Sequence, residues 1–285
     1  MITKFGKRFL TDYIAGNRTF FDKVLSVGIA TNAEYPLSDT NSRLGFEFYS
    51  VPVLFGGIDV DTSTSPYTYT AIYSTKLPAN LAGKINEIAL YPGRRISNNS
   101  YDSRFITTFE SPFEWSPSPT LNENDYRVGN SSLNLNSDGT SQQEYISIIP
   151  SFDISGYSNF DTVSFSYKVN NANLSAVKVR LYSSEAAYFE FNFTGHSVGW
   201  NIKDVPFADM TAVGNPQRSS ISKLGIVVVP NTSATSITVD GLRVNDEDTF
   251  DPAYGMIARS NITEVEKVAG RELIMEYKMD LDFGV

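Results

Sequence analysis

Cysteine is absent from this 285-residue chain. That excludes disulfides, thiolate metal centres and a thiol nucleophile. Histidine occurs once, at His196. A zinc site built from several imidazoles is therefore excluded, and a Ser-His-Asp relay has a single candidate base. Basic residues are in deficit: 23 Lys and Arg face 32 Asp and Glu, for a formal charge of −9. Duplex nucleic acid is bound by cations that displace phosphate counterions, so this balance argues against a nucleic-acid partner. No apolar run approaches the roughly 20 residues that a membrane-spanning helix requires. The basic first residues lead into no apolar stretch, so neither a secretion signal nor membrane insertion is expected.

What the chain does contain is aromatic and strand-like. Hydrophobic residues make up 41% and aromatics 13%, mainly 19 Phe and 16 Tyr, which separates it from disordered sequences. Many segments alternate with a period of two. Val163, Phe165, Tyr167 and Val169 share one face, as do Val177, Val179 and Leu181. The same pattern marks Thr68–Leu77, Phe189–Phe193 and the stretch from Leu273 onward, and Leu44–Val53 follows it loosely. Leu224–Val229 is a continuous apolar run, suited to a strand buried on both faces. One stretch, Lys7–Leu25, reads as a helix interrupted at Gly16. The expected fold class is all-β, a β-sandwich architecture with little helix.

Charge divides the chain. Residues 105–248 hold 8 Lys and Arg against 16 Asp and Glu, whereas the remainder holds 15 against 16. Polar, turn-rich stretches flank the acidic segment, from Pro92 to Ser103 and from Asn245 to Pro252. The expected organisation is a discontinuous domain, 1–104 plus 249–285, with 105–248 inserted as an independent module. With the insert removed, Leu90 and Met256 would flank a simple hairpin. Phe20, Phe21, Phe46, Phe48, Phe55 and Tyr73 give the outer domain more aromatic surface than a small sandwich easily buries.

The outer pieces carry an ordered set of short motifs. They are Ser26-Val-Gly-Ile-Ala-Thr-Asn-Ala-Glu, Leu37-Ser-Asp-Thr, Ser42-Arg-Leu-Gly-Phe-Glu, Thr75-Lys-Leu-Pro and Gly83-Lys-Ile-Asn-Glu-Ile-Ala-Leu-Tyr. After the insert come Met256-Ile-Ala-Arg-Ser, Lys267 and Glu272-Leu-Ile-Met-Glu-Tyr. This series resembles the N-terminal attachment domains of tailed-bacteriophage fibre and baseplate proteins, with Ala89 where the pattern has Gly. The resemblance implies a β-sandwich attachment domain formed by both chain ends, with no catalytic residues. It implies other virion proteins and copies of itself as partners, and assembly in the bacterial host cytoplasm into the virion.

The middle segment resembles the jelly-roll fold of carbohydrate-binding modules and galactose-binding-like domains. The matching residues are Thr108-Phe-Glu-Ser with Trp115, Arg127–Leu135, Phe152–Tyr167 and Ser236–Val244. The resemblance implies a structural calcium ion held by Glu110 and Asp240, since hard oxygen donors suit that cation. It also implies sugar stacking on an exposed ring, for which Trp200, Tyr182 and Tyr188 are the candidates and Trp115 reads as core. A host surface glycan is the implied ligand.

Catalysis has little support in these residues. Glu185 and Glu190 make a carboxylate pair of the kind glycosidases need, but 32 acids offer many such pairs. His196 sits in a solvated loop pattern with no companion signature. The expectation is a non-enzymatic tail or baseplate component projecting a jelly-roll lobe. Its alternatives are a capsid decoration protein and, in another class, a stand-alone carbohydrate-binding protein or a fragment of a glycan-active enzyme.

Overall fold

The computed structural model describes residues 1–15, 23–63, 67–92, 105–245 and 255–281. The chain opens with helix α1 (Lys4–Ile14) and five strands: β1 (Val24–Gly28), β2 (Glu47–Pro52), β3 (Leu54–Asp61), β4 (Thr68–Leu77) and β5 (Gly83–Tyr91). Then come β6 (Phe105–Thr107), β7 (Trp115–Ser116), β8 (Thr120–Asn122), β9 (Ser132–Ser137), β10 (Gln143–Phe152) and β11 (Thr162–Val169). They are followed by β12 (Leu174–Ser184), β13 (Ala187–Phe193), β14 (Gly199–Pro206), β15 (Thr211–Val213), β16 (Ile221–Pro230) and β17 (Thr235–Asn245). Strands β18 (Ala258–Lys267) and β19 (Leu273–Leu281) close the chain. The fold is all-β, as its alternating sequence dictates.

The chain divides into two compact units, Met1–Ser103 with Thr249–Val285, and Arg104–Asp248. The first holds a four-stranded sheet, β18-β5-β1-β2, and a three-stranded sheet, β19-β4-β3. Strand β5 pairs antiparallel with β18, setting Leu90 opposite Ala258, and Ile257 N–H donates to Leu90 O at 2.8 Å. The two chain ends thus form one hydrogen-bonded ribbon. The expected linker stretches lie almost wholly outside the described residues, as do Phe20 and Phe21. Phe46, Phe48 and Tyr73 are buried, while Phe55 is half exposed.

Two sequence expectations need correction here. The helix covers Lys4–Ile14, not Lys7–Leu25. It starts early because Thr3 Oγ1 caps it, accepting Gly6 N–H at 2.9 Å. Val24 and Leu25 are instead buried in β1, laddered to Tyr91 and Leu90 on one side and Pro52 and Val51 on the other. In the Leu44–Val53 stretch the strand begins only at Glu47. Gly45 and Phe46 turn their N–H groups onto a buried carboxylate rather than into a ladder.

The second unit is a sandwich of two antiparallel sheets, β15-β13-β12-β16-β10-β7 and β14-β11-β17-β9-β8, with β6 also paired to β17. The chain crosses repeatedly between these sheets, with β8–β9, β12–β13 and β15–β16 staying within one sheet, a jelly-roll way of winding. One core fills the gap, drawn from the inward alternate residues: Val163, Phe165 and Tyr167 from one sheet, Val177, Val179, Phe191 and Ile226 from the other. Trp115 belongs to this core and stacks on Phe109 with ring centroids 5.3 Å apart. Leu224–Val228 is buried on both faces of its sheet, as the unbroken apolar run implies.

Candidate functional site

The second unit buries an acidic group without completing its hydrogen bonds. Asp240, fully buried on β17, accepts Arg127 N–H and, at 2.9 Å, Val128 N–H through Oδ2. Among the described residues, no donor reaches its Oδ1. Glu110 lies close enough to act on it. Its carboxylate accepts Asn130 N–H at 3.2 Å and Ser131 Oγ–H at 3.2 Å. Burial pushes Asp240 well above the usual carboxylate range, against its two backbone donors, and the Glu110 charge pushes the same way. Glu110 is itself raised by burial.

The local backbone is shaped for this pairing. Phe109, just before Glu110, has φ of 57°, a left-handed conformation that a bulky residue adopts only under constraint. Gly129 has φ of +75°, and a Cβ there would lie 1.5 Å from Glu110 Oε1. Glycine is required at 129 for both reasons. Two desolvated carboxylates with an orphaned oxygen fit a hard cation, and the remaining donors would have to be neutral oxygens. Among the described residues there is no cluster of three or more His, Cys, Asp or Glu.

A second arrangement lies on the outer face of the β10-β16-β12-β13 ladder, opposite the core. Register sets Arg180 beside Gly225 and Glu190, and Tyr182 beside Lys223 and Tyr188. Arg180 donates to Glu190 at 2.8 Å and to Glu144 at 2.9 Å, and Lys178 donates to Glu190 at 2.8 Å. Tyr182 O–H donates to Glu144 at 2.7 Å. Gly225 leaves room for that bond, because a Cβ there would meet Glu144 Oε1 at 2.5 Å. Burial alone would raise the Glu190 carboxyl, yet Lys178 and Arg180 outweigh it and hold it below its ordinary value. The Tyr182 hydroxyl is pushed up to about 12 by burial and by its bond to Glu144.

The aromatic candidates fare differently. Tyr182 is 6% exposed, so its ring offers no open stacking surface. This corrects its expected role: its hydroxyl is held by Glu144 and its ring packs 4.9 Å from that of Tyr188. Tyr188 is half buried, with the Arg180 guanidinium 4.8 Å from its ring centre. Trp200 sits on the outer face of the other sheet, beside Lys168. Its Nε1–H donates to Asp125 at 3.0 Å, and Arg127 lies 4.7 Å from its ring centre. The fold therefore separates Trp200 from the two tyrosines.

Of the residues weighed for catalysis, Glu190 is held by Lys178 and Arg180 while Glu185 is exposed and paired with Lys223. His196 is half buried rather than solvated. Its Nε2 contacts Leu174 O at 3.2 Å and its ring meets Tyr167 edge-on.

In the first unit the motif residues converge on one buried ion pair that sequence reading did not identify. Glu87 and Arg259 are both fully buried and 2.9 Å apart. Glu87 also accepts N–H bonds from Ala30, Gly45 and Phe46. Arg259 donates onward to Tyr35 O, Pro36 O and Asn41 Oδ1, and lies over the Tyr35 ring. A Cβ at Gly28 would meet Glu87 Oε1 at 2.5 Å. Four of the motif segments, those holding Gly28 and Ala30, Gly45 and Phe46, Glu87, and Arg259, thus meet in a single clamp on the 29–46 loop.

No protein-family model matches the chain, and no curated protein matches it. Among solved structures it is similar to the family 11 carbohydrate-binding module from Clostridium thermocellum, in complex with a β-1,3-1,4-mixed-linked tetrasaccharide. That match has 15% identity and a TM-score of 0.37, covering 50% of this chain and 94% of that one. A family 30 carbohydrate-binding module of a Clostridium thermocellum cellulosomal cellulase gives 14% identity and a TM-score of 0.35, covering 51% of this chain and 88% of that one. The enzymatically active domain of tailspike protein 4 from bacteriophage CBA120 gives 13% identity and a TM-score of 0.30. There the match covers 48% of this chain and 20% of that one.

Proposed function

We propose that the chain is a non-enzymatic virion structural protein whose second unit recognises a surface glycan. The observation that carries the glycan reading is the outer face around Tyr188. A half-buried ring lies beside Arg180, Glu190, Lys178 and Glu144, whose side chains hold one another in place. Sugar recognition needs such a ring together with donors and acceptors that do not have to be ordered on binding. Calcium, held by Glu110 and Asp240, would supply only rigidity to the loops around residues 110 and 127–131.

The virion half of the proposal rests on the motif series, and the meeting of four of its segments at Glu87 and Arg259 supports reading those as one unit. A tail or baseplate position is favoured, with a capsid decoration protein as the alternative. A stand-alone carbohydrate-binding protein is the reading of another class, and the compactness of Arg104–Asp248 as a separate unit favours it equally.

The glycan reading is tested by affinity electrophoresis of the full chain in gels containing mixed-linked β-glucan, lipopolysaccharide or capsular polysaccharide. Retardation by at least one polymer, lost in Tyr188→Ala and in Arg180→Ala while circular dichroism is unchanged, is expected. No retardation by any of them would remove the proposal. Mass spectrometry of purified particles separates the virion from the stand-alone reading.

A further inference from the structure

Among the described residues, the first unit leaves the outer edge of one strand without a partner. Strand β3 forms one edge of the sheet β19-β4-β3 and pairs only with β4 among the described residues. Its apolar residues are open to solvent: Leu54 is 77% exposed, Ile58 55%, Phe55 51% and Val60 42%. Register puts Phe55 in line with Tyr73 and Tyr277, and Ile58 in line with Ala71 and Met279. Those four partners are buried, so the apolar face of the sheet runs out from the core onto an uncovered strand. At the other edge, β19 pairs only with β4 among the described residues and exposes Ile274.

We propose that β3 of one copy pairs in parallel with β19 of a second copy, continuing both the ladder and the apolar face between copies. The charges select this occupant. Strand β3 carries Asp59 and Asp61 and no base, so antiparallel pairing of two β3 strands over Ile58–Asp61 sets acid against acid. Strand β19 carries Lys278, 61% exposed on the polar face that Asp59 also occupies, where it pairs with Glu276 at 3.1 Å and has room to pair with Asp59 of the other copy. The β3 bulge between Phe55 and Gly57 fixes the match. Setting Leu54 beside Ile274 of the second copy brings Phe55 to Met275, Ile58 to Tyr277, Asp59 to Lys278 and Val60 to Met279. Asp61 then nears Asp280, one like-charge contact against the one Asp59–Lys278 contact, whereas two β3 strands would offer acid contacts alone; Ser63 N–H donates to Asp61 and Thr70 Oγ1–H to Asp280, each at 2.8 Å. Such an interface is head-to-tail, so repeated copies close into a ring or, where the rotation does not close, extend as a filament.

The interface deepens the assembly half of the proposed function and stands apart from the glycan half. Because the chain lacks cysteine, pairwise cross-linking is clean. The full chain carrying both Leu54→Cys and Ile274→Cys should give a ladder of covalent oligomers on oxidation, and neither single variant should. Light scattering should give a multiple of 31.6 kDa. Asp59→Lys should reduce it to monomer with unchanged circular dichroism, and adding Lys278→Asp should restore the oligomer. A monomeric wild type, or cross-linking by Leu54→Cys alone, would overturn the interface. Either result would leave polysaccharide retardation and particle association to stand or fall on their own tests.

Discussion

Each unit of this protein buries a carboxylate completely, and the two are finished differently. Glu87 in the first unit meets a guanidinium and three backbone N–H groups, and both members of the pair are sealed from solvent. Asp240 in the second meets two backbone N–H groups on one oxygen and nothing on the other, with Glu110 adding like charge. A charge in low dielectric needs full compensation. The first is compensated by the chain itself. The second lacks a counter-charge and leaves one oxygen open for a proton or a cation; burial raises the Glu87 carboxyl as well, but there Arg259 and the backbone N–H groups oppose it.

The sharpest way to break the comparison is Arg259→Leu. Glu87 would be left buried with three N–H groups but no counter-charge, and the first unit should lose about 3–5 kcal/mol in denaturant unfolding. A loss below about 1 kcal/mol would show that the clamp is not what orders the 29–46 loop. Next in size is calcium binding. Saturating calcium at about a hundred times its dissociation constant should stabilise the second unit by ~2.7 kcal/mol, read as a rise in Tm over the chelated protein. An unchanged melting curve would leave the proton as the compensating partner.

The pH dependence separates these cases. The folded pKa of Asp240 lies above its unfolded value, so the folded state holds the proton more tightly. In chelator, stability should therefore fall as pH rises from the usual aspartate range through the raised value. Asp240→Asn keeps an acceptor for the Arg127 and Val128 N–H groups. It should flatten that slope and abolish the calcium response. Gly129→Ala should cost about 1–3 kcal/mol, since it is strained at positive φ and collides with Glu110. Its calcium response should weaken as well, measured by titration calorimetry. The smallest effect is the control for the buried pair. Lys223→Ala breaks an ion pair whose Glu185 is 87% exposed, and should change stability by ~0.5 kcal/mol or less.

Legibility followed the range of the interaction. The facing of β11 and β12 was readable because a strand exposes alternate residues, so Val177, Val179 and Leu181 inward implied Lys178, Arg180 and Tyr182 outward. Their partner Glu144 was not readable. It lies on β10, and only the register of β10 and β12 against β16 brings it to Arg180. The buried state of Tyr182 escaped for the same reason, because Gly225 across the ladder decides the space around it. Motif order named Glu87 and Arg259 separately, 172 residues apart, without showing that they touch.

Composition alone determined the absence of thiol or multi-histidine chemistry, and local pattern determined strand identity and inward faces, which depend on neighbours within a few residues. Tertiary structure alone decided which charges are compensated and which aromatic rings stay open. It also decided which strand edge is left bare. Compensation, enclosure and pairing depend on groups that the chain brings together only when its sheets close.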